Sequence, residues 1–147
     1  MTKTGYRQFI DEVYFLGKQK EYSGIFNKII PSLKLNTFKK AKKILLDKRK
    51  AYDFSLANLF RKYAMDNNDL YDELDKLWES IDELEELKKY EFLGVPIAMV
   101  PTVGLPIAGT ASIALKITRL QLIFNSYIDK TREYCNKVAK EQIDEQE

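Results

Sequence analysis

Six carboxylates, Asp72, Asp75, Glu79, Asp82, Glu83 and Glu86, recur at helical spacing in one stretch of the chain. Several would share a helix face, and carboxylates one turn apart can hold Mg²⁺, as in helical nucleotide hydrolases or acidic prenyl-transfer sites. A solvated face of an amphipathic helix has the same appearance, and that is the reading adopted. Asp66-Asn67-Asn68-Asp69 opens like an EF-hand loop. It departs from one at once: Leu70 stands at a ligand position, no glycine follows, and Leu77 is at position twelve. The chain has no histidine. That removes Ser-His-Asp and Cys-His catalysis, Glu-x-x-His di-iron bundles, haem ligation by histidine and His-bearing zinc sites. Cys135 is the single cysteine, so no disulfide forms within the chain, which suits a reducing compartment. Beside Tyr134 it reads as a semi-buried small hydrophobe. Gly94 and Gly104 fit neither a P-loop nor a dinucleotide fingerprint. The expectation is a protein that is not an enzyme, with no catalytic residues, no metal site and no cofactor.

The chain's odd part is GVPIAMVPTVGLPIA, residues 94–108, in which Gly94-Val95-Pro96-Ile97-Ala98 nearly returns as Gly104-Leu105-Pro106-Ile107-Ala108. It lies in an uncharged run from Phe92 to Leu115, 24 residues long. A straight helix of that length would span roughly 36 Å, enough for a bilayer core of about 30 Å. Pro96, Pro101 and Pro106 obstruct a straight helix, and the flanking Lys88, Lys89, Lys116 and Arg119 set no orientation. The pseudo-repeat suits a re-entrant hairpin turning near Pro101, with limbs of roughly 18 Å. Non-helical backbone at such depth needs protein or water partners. Small residues such as Gly104, Ala108, Ala111 and Ala114 allow close packing between copies. A buried connection within a helical bundle, or a patch that docks on another protein, is the alternative to lipid. The residues assigned to insertion or docking are Phe92, Leu93, Val95, Pro96, Ile97, Met99, Val100, Pro101, Val103, Leu105, Pro106 and Ile107. A Gly/Pro-rich apolar tongue between two long amphipathic helices resembles the insertion element of helical pore-forming toxins. The resemblance is carried by residues 92–115 alone and implies a segment able to enter a membrane.

A second signal is KKAKKILLDKRK, residues 39–50, with seven basic residues in twelve. As a helix it turns Ala41 and Leu45 to a core and spreads its cations outward. Each Lys or Arg near an anionic lipid surface contributes about 1 kcal/mol of attraction. Lys39, Lys40, Lys42, Lys43, Lys48, Arg49 and Lys50 are therefore candidates for contact with an anionic surface. A solvated face partly neutralised by the acidic helix explains the same run. Nucleic acid is disfavoured: no zinc-finger, RNA-binding sheet or helix-turn-helix signature is present, and the acidic helix repels phosphate.

These segments need elements to position them. The chain has 147 residues, 45% apolar and 31% charged, which places it among folded single domains. The formal charge of +2 hides blocks: residues 1–65 carry 15 Lys/Arg against 5 Asp/Glu, and residues 66–91 carry 3 against 11. A basic helix lying beside an acidic one is the simplest internal pairing. Tyr6, Phe9, Ile10, Val13 and Leu16 have helical spacing. Ile25, Phe26, Ile29 and Ile30 add a turn or two before Pro31. Asn36 or Thr37 caps a helix with the stripe Phe38, Ala41, Leu45, Tyr52, Leu56, Leu59 and Tyr63, which has a seven-residue gap at Lys48. Leu70, Leu74, Leu77, Ile81 and Leu84 form an a/d seam at steps of four and three, capped by Asp66 to Asp69. Trp78 widens that seam. Pro106 starts the last helix, with the stripe Ile117, Leu120, Phe124, Tyr127, Thr131, Tyr134 and Val138.

The expected fold is all-α: a small bundle of long, coiled-coil-like helices in one domain, 1–147. It comprises short N-terminal helices (1–31), a basic/acidic helical hairpin (36–91), the apolar Gly/Pro-rich segment (92–115) and a C-terminal helix (106–145). The N-terminus shows no signal-peptide pattern, so a cytoplasmic location, peripheral or inserted at a membrane, is expected. The expected function is a non-enzymatic, membrane-associating protein that self-assembles. Its partners would be membrane lipid and a homo-oligomer or helical protein, with no small-molecule substrate. The alternative is a soluble helical adaptor or inhibitor that binds a protein through its amphipathic helices.

Overall fold

Apolar residues at steps of three and four become the inward faces of four helices, and no strand occurs among the described residues. The fold is all-α. The computed structural model describes residues 1–21, 37–66, 68–84 and 109–143, with backbone alone at 20–21, 37–39 and 109–118. The helices are α1 (Lys3–Glu21), α2 (Thr37–Lys62), α3 (Leu70–Glu79) and α4 (Gly109–Glu141). The expected turns at Ile25 to Ile30, the side chains of Phe38 and Ile117, and the proline start at Pro106 lie outside the described residues.

α1 begins where the Thr2 hydroxyl accepts the Gly5 N–H at 2.9 Å, which satisfies one of the open amides of the first turn. It buries Phe9 and Val13 one turn apart, with Tyr6, Ile10 and Leu16 half-buried beside them. α1 lies antiparallel to α4. The N-terminal ammonium donates to the Gln142 carbonyl at 2.7 Å, Tyr6 donates to Asn136, and Arg132 donates to the Tyr14 carbonyl at 3.2 Å. Arg132 also stands over the Tyr14 ring, 5.1 Å from its centre. At this crossing Gly17 is buried, and a Cβ there would sit 2.6 Å from Arg132 Nη2.

α2 buries Ala41, Leu45, Tyr52, Leu56 and Phe60. The seven-residue gap in its stripe is filled by Lys48 itself, which is only 8% exposed. Phe60 and Tyr63 meet Phe9 edge-on at 5.5 Å, so α1 closes over the C-terminal half of α2. α2 and α4 run parallel. Tyr52 packs on Phe124 and Tyr127, and about eight residues further along both helices Phe60 and Asn136 meet the first turns of α1. α2 stops in a Schellman arrangement, with Ala64 N–H bonded to the Arg61 carbonyl and Met65 N–H to the Phe60 carbonyl at 2.8 Å. Ala64 holds φ 54°, the left-handed region usually left to glycine.

α3 departs most from the sequence expectation. It is ten residues long rather than continuing to 91. Ser80 ends it: its hydroxyl donates to the Leu77 carbonyl at 2.7 Å and its N–H shares the Lys76 and Leu77 carbonyls. Ile81 leaves the helix, one more turn covers 82–84, and residues 85–91 lie outside the described residues. The cap also differs. Asp69 makes no side-chain cap bond, and Asp66 instead accepts the Asn68 N–H at 3.0 Å in the preceding turn. Asp72 and Glu73 supply the negative charge of the first turn. Leu70, Leu74, Ile81 and Leu84 are buried as the seam requires, but Leu77 is only half-buried and Trp78, 4% exposed, takes the inward place. The indole wins because Tyr127 of α4 receives it edge-on at 5.2 Å.

α4 is the shared partner, touching α1, α2 and α3. Its buried residues Leu120, Ile123, Phe124, Tyr127, Ile128, Thr131, Cys135 and Ala139 make a face wide enough to serve all three. Cys135 is fully buried rather than semi-buried, and burial pushes its thiol up to about 12.

Candidate functional site

The basic run divides between two environments. Lys40, Lys43 and Lys50 are exposed, Lys42 is half-exposed, and the Lys39 side chain lies outside the described residues. Lys48 and Arg49 correct the sequence reading: neither faces outward. Lys48 Nζ stands 4.9 Å from the centre of the Phe124 ring, its stem laid along the core. Arg49 turns to the α2–α3–α4 junction and stacks over Trp78 at 5.0 Å and Tyr127 at 5.3 Å. A helix has one inward face, and the positions four and three residues before Tyr52 fall on or beside it.

The outward face of α2 is what remains. Lys40, Lys43, Asp47, Lys50, Phe54, Asn58 and Arg61 are all exposed and recur at steps of three and four. They mark one stripe over 21 residue steps, roughly 32 Å at 1.5 Å per residue. Leu46 flanks it and is 40% exposed; Phe54 lies within it and is 58% exposed. Four cations stand against one carboxylate, Asp47. The stripe thus combines positive charge with two large apolar side chains already in water.

The inward half of the run belongs to a buried polar cluster that sequence reasoning missed. Tyr127 of α4 donates its hydroxyl to Asp53 of α2, and both residues are buried. Arg49 Nε lies 3.4 Å from the second oxygen of Asp53, while Arg49 Nη2 bonds Asp75 of α3. Burial pushes the Asp53 carboxyl up to about 6, against the pull of the Tyr127 hydroxyl and the Arg49 charge, with Asp75 adding to the rise. Burial also pushes the Tyr127 phenol up, with the Asp53 charge and hydrogen bond adding to it. Burial works against the Arg49 charge, yet hydrogen bonds to Tyr127 and Asp75 hold its guanidinium above the ordinary value. One guanidinium therefore serves carboxylates on two helices. The signal for this cluster was the gap at Lys48. A cation filling a core stripe, followed by Asp53 one helical turn after Arg49, implies buried charge in need of partners.

The other sequence-predicted residues fare as follows. Asp72, Asp75, Glu79 and Asp82 are exposed, Glu83 is half-buried, and Glu86 lies outside the described residues. Among the described residues no three His, Cys, Asp or Glu side chains converge in a group able to hold a metal. The whole set from Phe92 to Ile107 lies outside the described residues, while residues 109–115 form the first turns of α4. Among the described residues no helix is long and apolar enough to cross a membrane. No protein-family profile, curated protein or solved structure matches this chain.

Proposed function

We propose that this chain is a non-enzymatic, membrane-associating helical protein. The outward stripe of α2 meets anionic lipid, and the apolar segment 92–115 enters the membrane and self-packs. The observation that carries the reading is the stripe itself: Lys40, Lys43, Lys50 and Arg61 exposed, with Phe54 in their row and Leu46 beside it. Cations draw a helix to anionic headgroups, and exposed Leu and Phe on the same side give it apolar area to bury at the interface. At about 1 kcal/mol per cation near the surface, the stripe supplies reversible attachment rather than permanent anchoring. The uncharged segment would add the second attachment.

The test is flotation of purified protein with vesicles of phosphatidylcholine containing phosphatidylserine, followed by salt and carbonate washes. Lipid binding that salt removes, and that Lys43→Glu with Lys50→Glu abolishes, supports contact through the stripe. Retention through carbonate, lost on Val100→Asp, supports insertion of the apolar segment. Absence of flotation overturns the membrane reading. A soluble adaptor would then be favoured by Phe15, 64% exposed on α1, which a partner helix would bury.

A further inference from the structure

The geometry points to a proton-operated joint: α3 is tied to the bundle through a guanidinium that Asp53 and Asp75 share, and a proton added to Asp53 tightens α3 against α2 and α4. This inference is independent of the lipid reading, because it concerns only how α3 is held.

Arg49 lies between two carboxylates, and they differ in exposure. Asp53 is buried on the same helix as Arg49; Asp75 is on α3 and mostly exposed. When both are ionised, the guanidinium divides its attraction between them, and Asp53 carries an uncomfortable charge in an apolar setting. When Asp53 is neutral, the full charge of Arg49 faces Asp75, and the bond that crosses from α2 to α3 strengthens. Tyr127 remains hydrogen-bonded to the carboxyl in either state. The other side of the joint is already apolar, with Trp78 of α3 edge-on to Tyr127 of α4. Among the described residues, the ionisable groups around Asp53 are Arg49 of α2, Asp75 of α3 and Tyr127 of α4, with Lys48 of α2 turned to Phe124. α1 brings Glu12 toward α2, but Lys62 holds it further along the helix, at 2.6 Å.

The direction follows from linkage. The Asp53 carboxyl titrates at about 6 in the closed joint and has an ordinary value of 3.8. The closed joint therefore binds the proton more tightly. The resulting stabilisation is fully present below the ordinary value and is lost as pH rises through about 6. Between pH 7 and pH 4 the equilibrium for opening falls by at most about fifty-fold, the limit in which Asp53 passes fully into water; the fall is smaller when α3 alone departs, because Tyr127 of α4 still covers the carboxyl.

Trp78 is the sole tryptophan and sits inside the joint, so it reports directly. The experiment is acrylamide quenching of Trp78 fluorescence from pH 4 to 8, with far-UV circular dichroism confirming that the helices persist. The expected result is weaker quenching at pH 5 than at pH 7.5, with a midpoint near 6. Asp53→Asn should remove the transition. Tyr127→Phe, which deletes a hydrogen bond that holds the carboxyl down, should move the midpoint upward. A transition unchanged in Asp53→Asn overturns the proposal. If Asp53→Asn fails to fold, an unmoved midpoint in Tyr127→Phe does so instead. A wild-type protein with no transition in this range also overturns it.

Discussion

Gly17→Ala is expected to destabilise the protein although alanine is the better helix former. In an exposed helix interior this exchange gains about 1 kcal/mol. At position 17 the new methyl would lie 2.6 Å from Arg132 Nη2, 2.7 Å from Nε and 2.9 Å from Cζ. The guanidinium must withdraw. It then loses its bond to the Tyr14 carbonyl at 3.2 Å and its place over the Tyr14 ring. A hydrogen bond from a charged donor contributes about 1.5 kcal/mol, and the cation–π contact about 0.5–1 kcal/mol. The balance is a net loss of about 1 kcal/mol. The background Arg132→Ala separates the two effects: with the guanidinium gone, Gly17→Ala should stabilise by about 1 kcal/mol. The coupling across this cycle is then about 2 kcal/mol. Urea unfolding followed by circular dichroism measures all four proteins. Stabilisation by Gly17→Ala with Arg132 intact, or coupling near zero, would refute the claim that this glycine exists for the helix crossing.

Ala64→Gly should raise stability by about 1 kcal/mol, since φ 54° strains an alanine and leaves a glycine relaxed; thermal unfolding reads the gain, and a lower melting temperature counts against the Schellman assignment. Lys48→Glu should cost about 3 kcal/mol, because it places an anion against the Phe124 ring in a buried site. Lys43→Glu, on the exposed side, should stay within about 0.5 kcal/mol, and similar losses for both in urea titrations would contradict the division of the basic run. Cys135 should resist a disulfide reagent at pH 8 in the native protein and react fully in guanidinium, because the thiol is buried and pushed up to about 12. Fast native labelling would mean that α4 opens locally.

The periodic stripes of α1, α2 and α4 were legible because a helix that buries one face must repeat apolar residues at that spacing, whatever it packs against. The same rule did not foretell the break at Ser80 and Ile81. A continuous a/d pattern says that a helix is possible, and Ser80 offered its carbonyl-bonding hydroxyl where the pattern gave no warning. Residues assigned by type alone divided in the same way. Lys40, Lys43 and Lys50 are outward, while Lys48, identical in chemistry, and its cationic neighbour Arg49 are inward by position on the turn.

The sequence alone determined that this protein is helical, which faces are apolar, where the charge blocks fall and that histidine chemistry is absent. These are properties of composition and local periodicity, and a segment carries them without its neighbours. Tertiary structure decided where α3 stops, that Trp78 is buried more deeply than Leu77, that Gly17 admits Arg132, and that Asp53 meets Tyr127. Each of these depends on a surface supplied from another part of the chain; Asp53 and Tyr127 stand 74 positions apart. A buried charge declares its need for a partner in the sequence, but only packing brings the partner to it.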